Sequence, residues 1–173
     1  TNKIRIISRN QHMMRLDAET TEDLDDNDEE KLKNQVEKYI DTEKPDVVIF
    51  EDYNKGILTK NIIANTIAFC NENNVITAVD PKRKNFFCYQ NATLFKPNLA
   101  EVFAALNLLP ETVSEDLLSN IHSQLKEKLD HSVSLVTLSE KGIYYHQDNL
   151  KSMIPSHRRN IADVSGAGDT VIA

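Results

Sequence analysis

Asp46-Val47-Val48-Ile49-Phe50 is one acid followed by four apolar residues, with no polar alternation. A run this short and this apolar suits a strand buried inside a parallel sheet. Its surroundings complete the unit. From Glu30 to Asp41, the residues Leu32, Val36, Tyr39 and Ile40 share one helical face. On the other side a helix over 59–73 turns Ile62, Ile63, Ile67 and Cys70 inward. A strand over 75–79 ends in Asp80-Pro81, and a strand over 92–95 leads through Pro97 into a helix starting at Asn98. A helix over 115–130 carries Leu117, Leu118, Ile121, Leu125 and Leu129, followed by a strand over 133–138 and a hairpin over 142–154. This alternation predicts an α/β fold, a parallel sheet with helices on both faces. Ligands of such sheets bind beyond the carboxyl ends of the strands. Asp52, Asp80, Asn98 and Thr137 stand at or just after those ends.

The flanks are of a different kind. Residues 3–8 and 12–17 alternate, are rich in Ile, Met and Leu, and read as two strands of a hairpin around Asn10-Gln11. Glu22 to Glu30 is a strongly acidic stretch without the spaced ligands and central glycine of a calcium loop. It is expected to be a solvated loop feeding negative charge to a helix N-terminus. The 173 residues suffice for one domain with a real core, and 27% charged and 40% hydrophobic residues are ordinary for a globular chain. The net charge of −7 argues against a nucleic-acid surface. No apolar run approaches the ~20 residues that span a bilayer. Cys70 and Cys88 lack metal-knuckle spacing, and Cys70, on an apolar helix face, is expected to be a buried thiol in a reducing cytosol.

Chemistry concentrates at Asp163-Val164-Ser165-Gly166-Ala167-Gly168-Asp169-Thr170. Three small residues in a row let backbone N–H groups converge on an anion, and the residues that follow suit the first turn of a helix. An anion cradle beside a carboxylate is what phosphoryl transfer to an alcohol needs, with the amides holding developing charge and the acid taking the hydroxyl proton. A plain glycine turn capped by an acid would look the same locally.

This stretch resembles the C-terminal signature of the ribokinase-like (PfkB) carbohydrate kinases. Lys96-Pro97-Asn98-Leu99-Ala100-Glu101 is similar to that family's Pro-Asn-x-x-Glu segment, and Val136-Thr137-Leu138-Ser139-Glu140-Lys141-Gly142 to its Val-Thr-x-Gly-x-x-Gly segment. The resemblance implies ATP and Mg²⁺, with Asp169 as catalytic base and the Gly166-Ala167-Gly168 turn as anion hole. It places Thr137, Ser139 and Gly142 at the nucleotide, and Asn98 and Glu101 at the metal through water. It also implies that residues 1–20 are lid strands and 30–173 a partial α/β core, incomplete at both ends. A small-molecule sugar phosphate, a homodimer through the lid strands and a cytoplasmic setting go with it. Glu51-Asp52-Tyr53-Asn54-Lys55-Gly56, Val79-Asp80-Pro81-Lys82 and the opening Thr1–Gln11 with Arg15-Leu16-Asp17 are similar to the subfamily that phosphorylates heptose 7-phosphate at its anomeric hydroxyl. A nucleotidyltransferase-like domain would follow in such a protein.

Each candidate also has a structural reading. Asn98 and Glu101, three apart, would serve equally as helix N-cap and capping box. Lys55 is either a point charge for a phosphate or a solvated loop lysine. Asp80 either faces a ligand or starts a turn before Pro81, and Lys82, Arg83 and Lys84 either steer anions or face solvent. Ser139 stands where many members carry glycine. His157, Arg158 and Arg159 read as surface charge.

Overall fold

The computed structural model describes residues 2–8, 11–156 and 171–172. The Asp163–Asp169 signature, with Gly166, Ala167 and Gly168, lies outside the described residues, as do His157, Arg158 and Arg159. The chain opens with an antiparallel ribbon, β1 (Asn2–Ser8) and β2 (Gln11–Ala18), forming its own two-stranded sheet. Its register pairs Ile4 with Leu16 and Ile6 with Met14, so these four share one face, and each is about half exposed.

Helix α1 (Asp26–Glu43) begins inside the acidic stretch rather than after it. Asp25 caps it by accepting from the Asp28 amide, and Asp26, Asp28 and Glu29 fill the first turn, where the helix dipole favours them. What the sequence shows as a charged loop is thus largely the start of the helix. Lys44 closes α1 in the left-handed region at φ 46°. Thr59 caps α2 (Lys60–Glu72) through the Ile62 amide and also donates its hydroxyl to Glu29, joining the starts of the two helices.

Among the described residues the main sheet has six strands in sequence order: β3 (Val47–Glu51), β4 (Ile76–Asp80), β5 (Leu94–Phe95), β6 (Val133–Thr137), β7 (Ile143–Gln147) and β8 (Leu150–Ile154). The first four run parallel and the last two antiparallel, as the predicted hairpin requires. Between β5 and β6 lie α3 (Leu99–Leu106) and α4 (Glu115–Leu129).

Register shows how the sheet is covered. Phe50, Val79, Phe95, Val136 and Tyr144 occupy one face, and the main core gathers there with Ile63 and Ile67 of α2 and Leu118, Ile121, Leu125 and Leu129 of α4. Each such side chain contributes about 1.5–3 kcal/mol when fully buried. On the opposite face Val47, Ile49 and Ile76 stay 42%, 38% and 51% exposed. Cover was expected on both faces; within the described residues it is dense on one. Cys70 is fully buried and Cys88 partly so, both are free thiols, and burial raises both above the ordinary thiol range.

Behind α4 lies a buried polar cluster. The Ser134 hydroxyl on β6 bonds both His122 Nδ1 (2.9 Å) and His131 Nε2 (2.6 Å). His122 stacks on His146 of β7 at 3.8 Å, and His146 Nδ1 meets the Tyr144 hydroxyl at 2.8 Å. Burial, then repulsion from neighbouring charge, holds His122 and His131 down at about 4.

Candidate active site at the carboxyl edge of the sheet

Backbone bonds carry the pairing past the ends of the parallel strands. The Asp52 amide donates to Asp80 O (3.1 Å), Lys96 to Val79 O (2.8 Å) and Thr137 to Pro97 O (3.1 Å), while Asn98 and Thr137 form a parallel bridge. Asp80, Lys96, Asn98 and Thr137 are therefore set side by side on one rim. Asn98 caps α3: its side chain accepts from the Glu101 amide at 2.9 Å, and Glu101 Oε2 accepts from the Asn98 amide at 2.9 Å. The capping box read from the sequence is present, and it fixes the orientation of the Glu101 carboxylate.

Two lysines complete the rim. Lys96, only 3% exposed, places Nζ 3.0 Å from Asp80 Oδ2. Lys82 places Nζ 2.7 Å from Glu101 Oε1 and 3.8 Å from Asp80 Oδ1. Burial works to lower the Lys82 pKa, but the hydrogen bond and charge of Glu101, with Asp80 and Tyr53 behind them, outweigh it and leave it raised. Two carboxylates and two ammoniums thus alternate along the rim. In the sequence Lys96 stands out only as the first residue of the Lys96–Glu101 motif. A lysine between an apolar strand and Pro97 is the signal that could have singled it out.

Beside the rim, α3 and the end of β6 enclose a cleft of about 640 Å³, lined by Asn98, Phe103, Leu108, Pro110, Thr137 and Ser139. Its floor is shaped by a tight turn. Ser139 takes φ 56°, Gly142 takes φ 101°, and the Gly142 amide donates to Ser139 O at 3.1 Å. A Cβ on Gly142 would stand 2.0 Å from Ile154 O, so only glycine fits against the end of β8.

Lys55 and Asp52 are used elsewhere. Asp52 is buried, accepting from the Asn54 amide (2.7 Å), the Tyr89 hydroxyl (2.9 Å) and Asn85 Nδ2 (3.3 Å), so it organises the 52–58 loop. Lys55 forms an ion pair with Glu19, at the exit of the ribbon. Lys84 pairs with Asp23, and Gly56 accepts from the Leu24 amide through its carbonyl.

Comparison with known proteins fits this arrangement to a family. Residues 17–173 match the profile of the pfkB family carbohydrate kinases. The chain belongs to that family. A protein named bifunctional protein HldE, from Aliarcobacter butzleri (strain RM4018), is 38% identical over all 173 residues. The chain spans only 35% of that relative's length. Among solved structures, a putative phosphofructokinase from Staphylococcus aureus superposes with a TM-score of 0.73 at 17% identity, covering 94% of this chain and 51% of that one. An Arabidopsis thaliana ribokinase complexed with ribose and ATP gives 0.62 at 18% identity, over 86% of this chain and 44% of the other. At these identities the structures show a shared pfkB-type fold.

The donors on the rim suit magnesium. Asp80, Asn98 and Glu101 offer oxygen alone, the preference of a hard cation that keeps several waters. Among the described residues, no three His, Cys, Asp or Glu side chains form a metal cage. With both Glu101 oxygens engaged, this carboxylate would meet such an ion through water or after giving up Lys82.

Proposed function

We propose that the protein is an ATP-dependent kinase that phosphorylates D-glycero-D-manno-heptose 7-phosphate at its anomeric hydroxyl, on the route to ADP-heptose and the lipopolysaccharide core. The alternating rim of Asp80, Lys82, Lys96, Asn98 and Glu101 in a carbohydrate-kinase family is the observation that carries the reading. It gathers cations for phosphate oxygens and oxygen donors for a metal at the edge where such sheets bind ligands. The heptose assignment rests on the sequence resemblances at 1–17, 51–56 and 79–82 and on the identity with proteins named HldE.

In this reading Thr137, Ser139 and Gly142 would hold the ATP that supplies the phosphoryl group. Asn98 and Glu101 would hold Mg²⁺ through water, and the bound ion would neutralise charge on the transferring phosphoryl group. Lys82 and Lys96 add positive charge on the same rim. Asp169 takes the proton of the anomeric hydroxyl as its oxygen bonds to the γ-phosphorus and the bond to ADP breaks. The amides of Ala167, Gly168 and Asp169, in the turn begun by Gly166, receive the developing charge. Lys55, tied to Glu19, would act on phosphate only by leaving that pair.

The rest of the protein is proposed to supply the sugar-binding part, residues 1–20 acting as lid strands on a 30–173 core. The half-exposed face of Ile4, Ile6, Met14 and Leu16 is what a second copy would cover in a lid-mediated homodimer. Among the described residues no helix is long and apolar enough to cross a membrane, and the reading places the enzyme in the cytoplasm. A substrate panel with the full-length natural protein, ATP and magnesium tests it. Heptose 7-phosphate should be turned over fastest. Faster turnover of ribose or fructose 6-phosphate would keep the kinase and discard the heptose. A protein that binds ATP but turns over none of the panel would point to a non-catalytic nucleotide-binding role.

A further inference from the structure

We propose that Lys82 is a built-in counter-cation for Glu101, a positioning residue that occupies the carboxylate oxygen a divalent metal needs and yields it when the metal arrives. This rests on the reading of Asn98 and Glu101 as metal organisers.

The two oxygens of Glu101 have different partners. Oε2 is held by the Asn98 amide at 2.9 Å in the capping box, which keeps the carboxylate aimed whether or not anything else is bound. Among the described residues Oε1 is held only by Lys82, at 2.7 Å, so any direct metal contact with that oxygen has to displace the ammonium. The second carboxylate of the rim does not depend on Lys82. Asp80 has its own buried partner in Lys96 at 3.0 Å and lies 3.8 Å from Lys82. The two lysines also differ in freedom. The Lys96 side chain is 3% exposed and cannot leave, whereas that of Lys82 is 35% exposed, on a flexible stem just before the turn at Arg83–Asn85.

Charge decides which cation moves. Asp80, Glu101, Lys82 and Lys96 sum to zero, so the rim is stable without metal and an incoming dication is repelled by two ammoniums. Displacing Lys82 removes the repulsion nearest to Glu101 and frees the oxygen in one step. The device keeps a half-buried carboxylate paired while the site is empty, where an unpaired charge would be costly.

The test is Mn²⁺ binding to the full-length natural protein without nucleotide, followed by the free-ion electron paramagnetic resonance signal. Lys82→Met should bind Mn²⁺ about tenfold tighter than wild type, since a unit charge a few ångströms from a dication is being removed. Lys82→Gln, which keeps a donor for Glu101 but not the charge, should tighten binding as well and stands in if the Met variant fails to fold. Lys82→Arg should bind no tighter than wild type, and Glu101→Gln should lose the site. If binding depends on Glu101 while both neutral variants leave affinity unchanged or weaker, the counter-cation role is overturned and the metal reading stands. If Glu101→Gln leaves Mn²⁺ binding intact, or wild type and neutral variants show none, both are overturned. A lower melting temperature with unchanged affinity would reduce Lys82 to a structural ion pair.

Discussion

Ser139 holds φ 56° at the mouth of the cleft, in the left-handed region where a Cβ is crowded by its neighbouring carbonyl. Its departure from the family's glycine was legible in the sequence; that the backbone keeps a glycine-like conformation there was not. Ser139→Gly should therefore raise stability by about 0.5–1 kcal/mol, measured as a higher denaturation midpoint. No gain would mean that the serine side chain offsets the strain. Gly142→Ala should do the opposite and cost more than ~1 kcal/mol, because the new Cβ meets Ile154 O. For the proposed base, Asp169→Asn in the full-length protein should lower turnover by ~10²–10⁴-fold with nucleotide affinity nearly unchanged. Near-normal turnover would remove Asp169 from the mechanism.

Among the elements, α3 joins structure and chemistry most closely, because its capping box and the rim share Glu101. Glu101→Gln leaves Lys82 without its closest charge partner and weakens the cap, so stability should fall by about 1 kcal/mol. It should also raise the magnesium concentration needed for half-maximal rate in the full-length enzyme. A fixed magnesium dependence with the stability loss alone would leave capping as the residue's whole task. The box was legible because Asn98 and Glu101 are local and follow a strand. The ties Lys82–Glu101, Lys96–Asp80 and Lys55–Glu19 were not, since they span 19, 16 and 36 residues and exist only once the strands are ordered. Local charge density likewise hid the start of α1, since Asp25 is one acid among many and its capping geometry decides the matter. The strand–helix alternation and the closing hairpin followed from periodicity, whereas strand order and the uneven cover of the two sheet faces depend on tertiary packing that periodicity does not report.

At the scale of the whole molecule, the His122–His131–His146 cluster fastens α4 to β6 and β7, and burial favours the neutral form of His122 and His131. Folding holds His122 and His131 at about 4 against an ordinary 6.5, so between these values the unfolded chain binds more protons. Stability should be flat with respect to this cluster above pH 7 and drain by a few kcal/mol, as an order of magnitude, as pH falls from 6.5 to 4. Lys126, Asp130 and Asp148 face the rings and modulate the fall. Urea midpoints across this range should drop for wild type and less steeply for His122→Gln; equal slopes would exclude the cluster as the source. A different consequence follows from the ties that hold residues 19–24 to the 52–58 loop and to Lys84. Lys55–Glu19, Gly56–Leu24 and Lys84–Asp23 clamp the segment leaving the ribbon, and Asp52 roots the same loop beneath the carboxyl end of β3. The clamp would act as a fulcrum: were the ribbon to rock, the pull would reach the 52–58 loop and, through it, Asp52 at the end of β3.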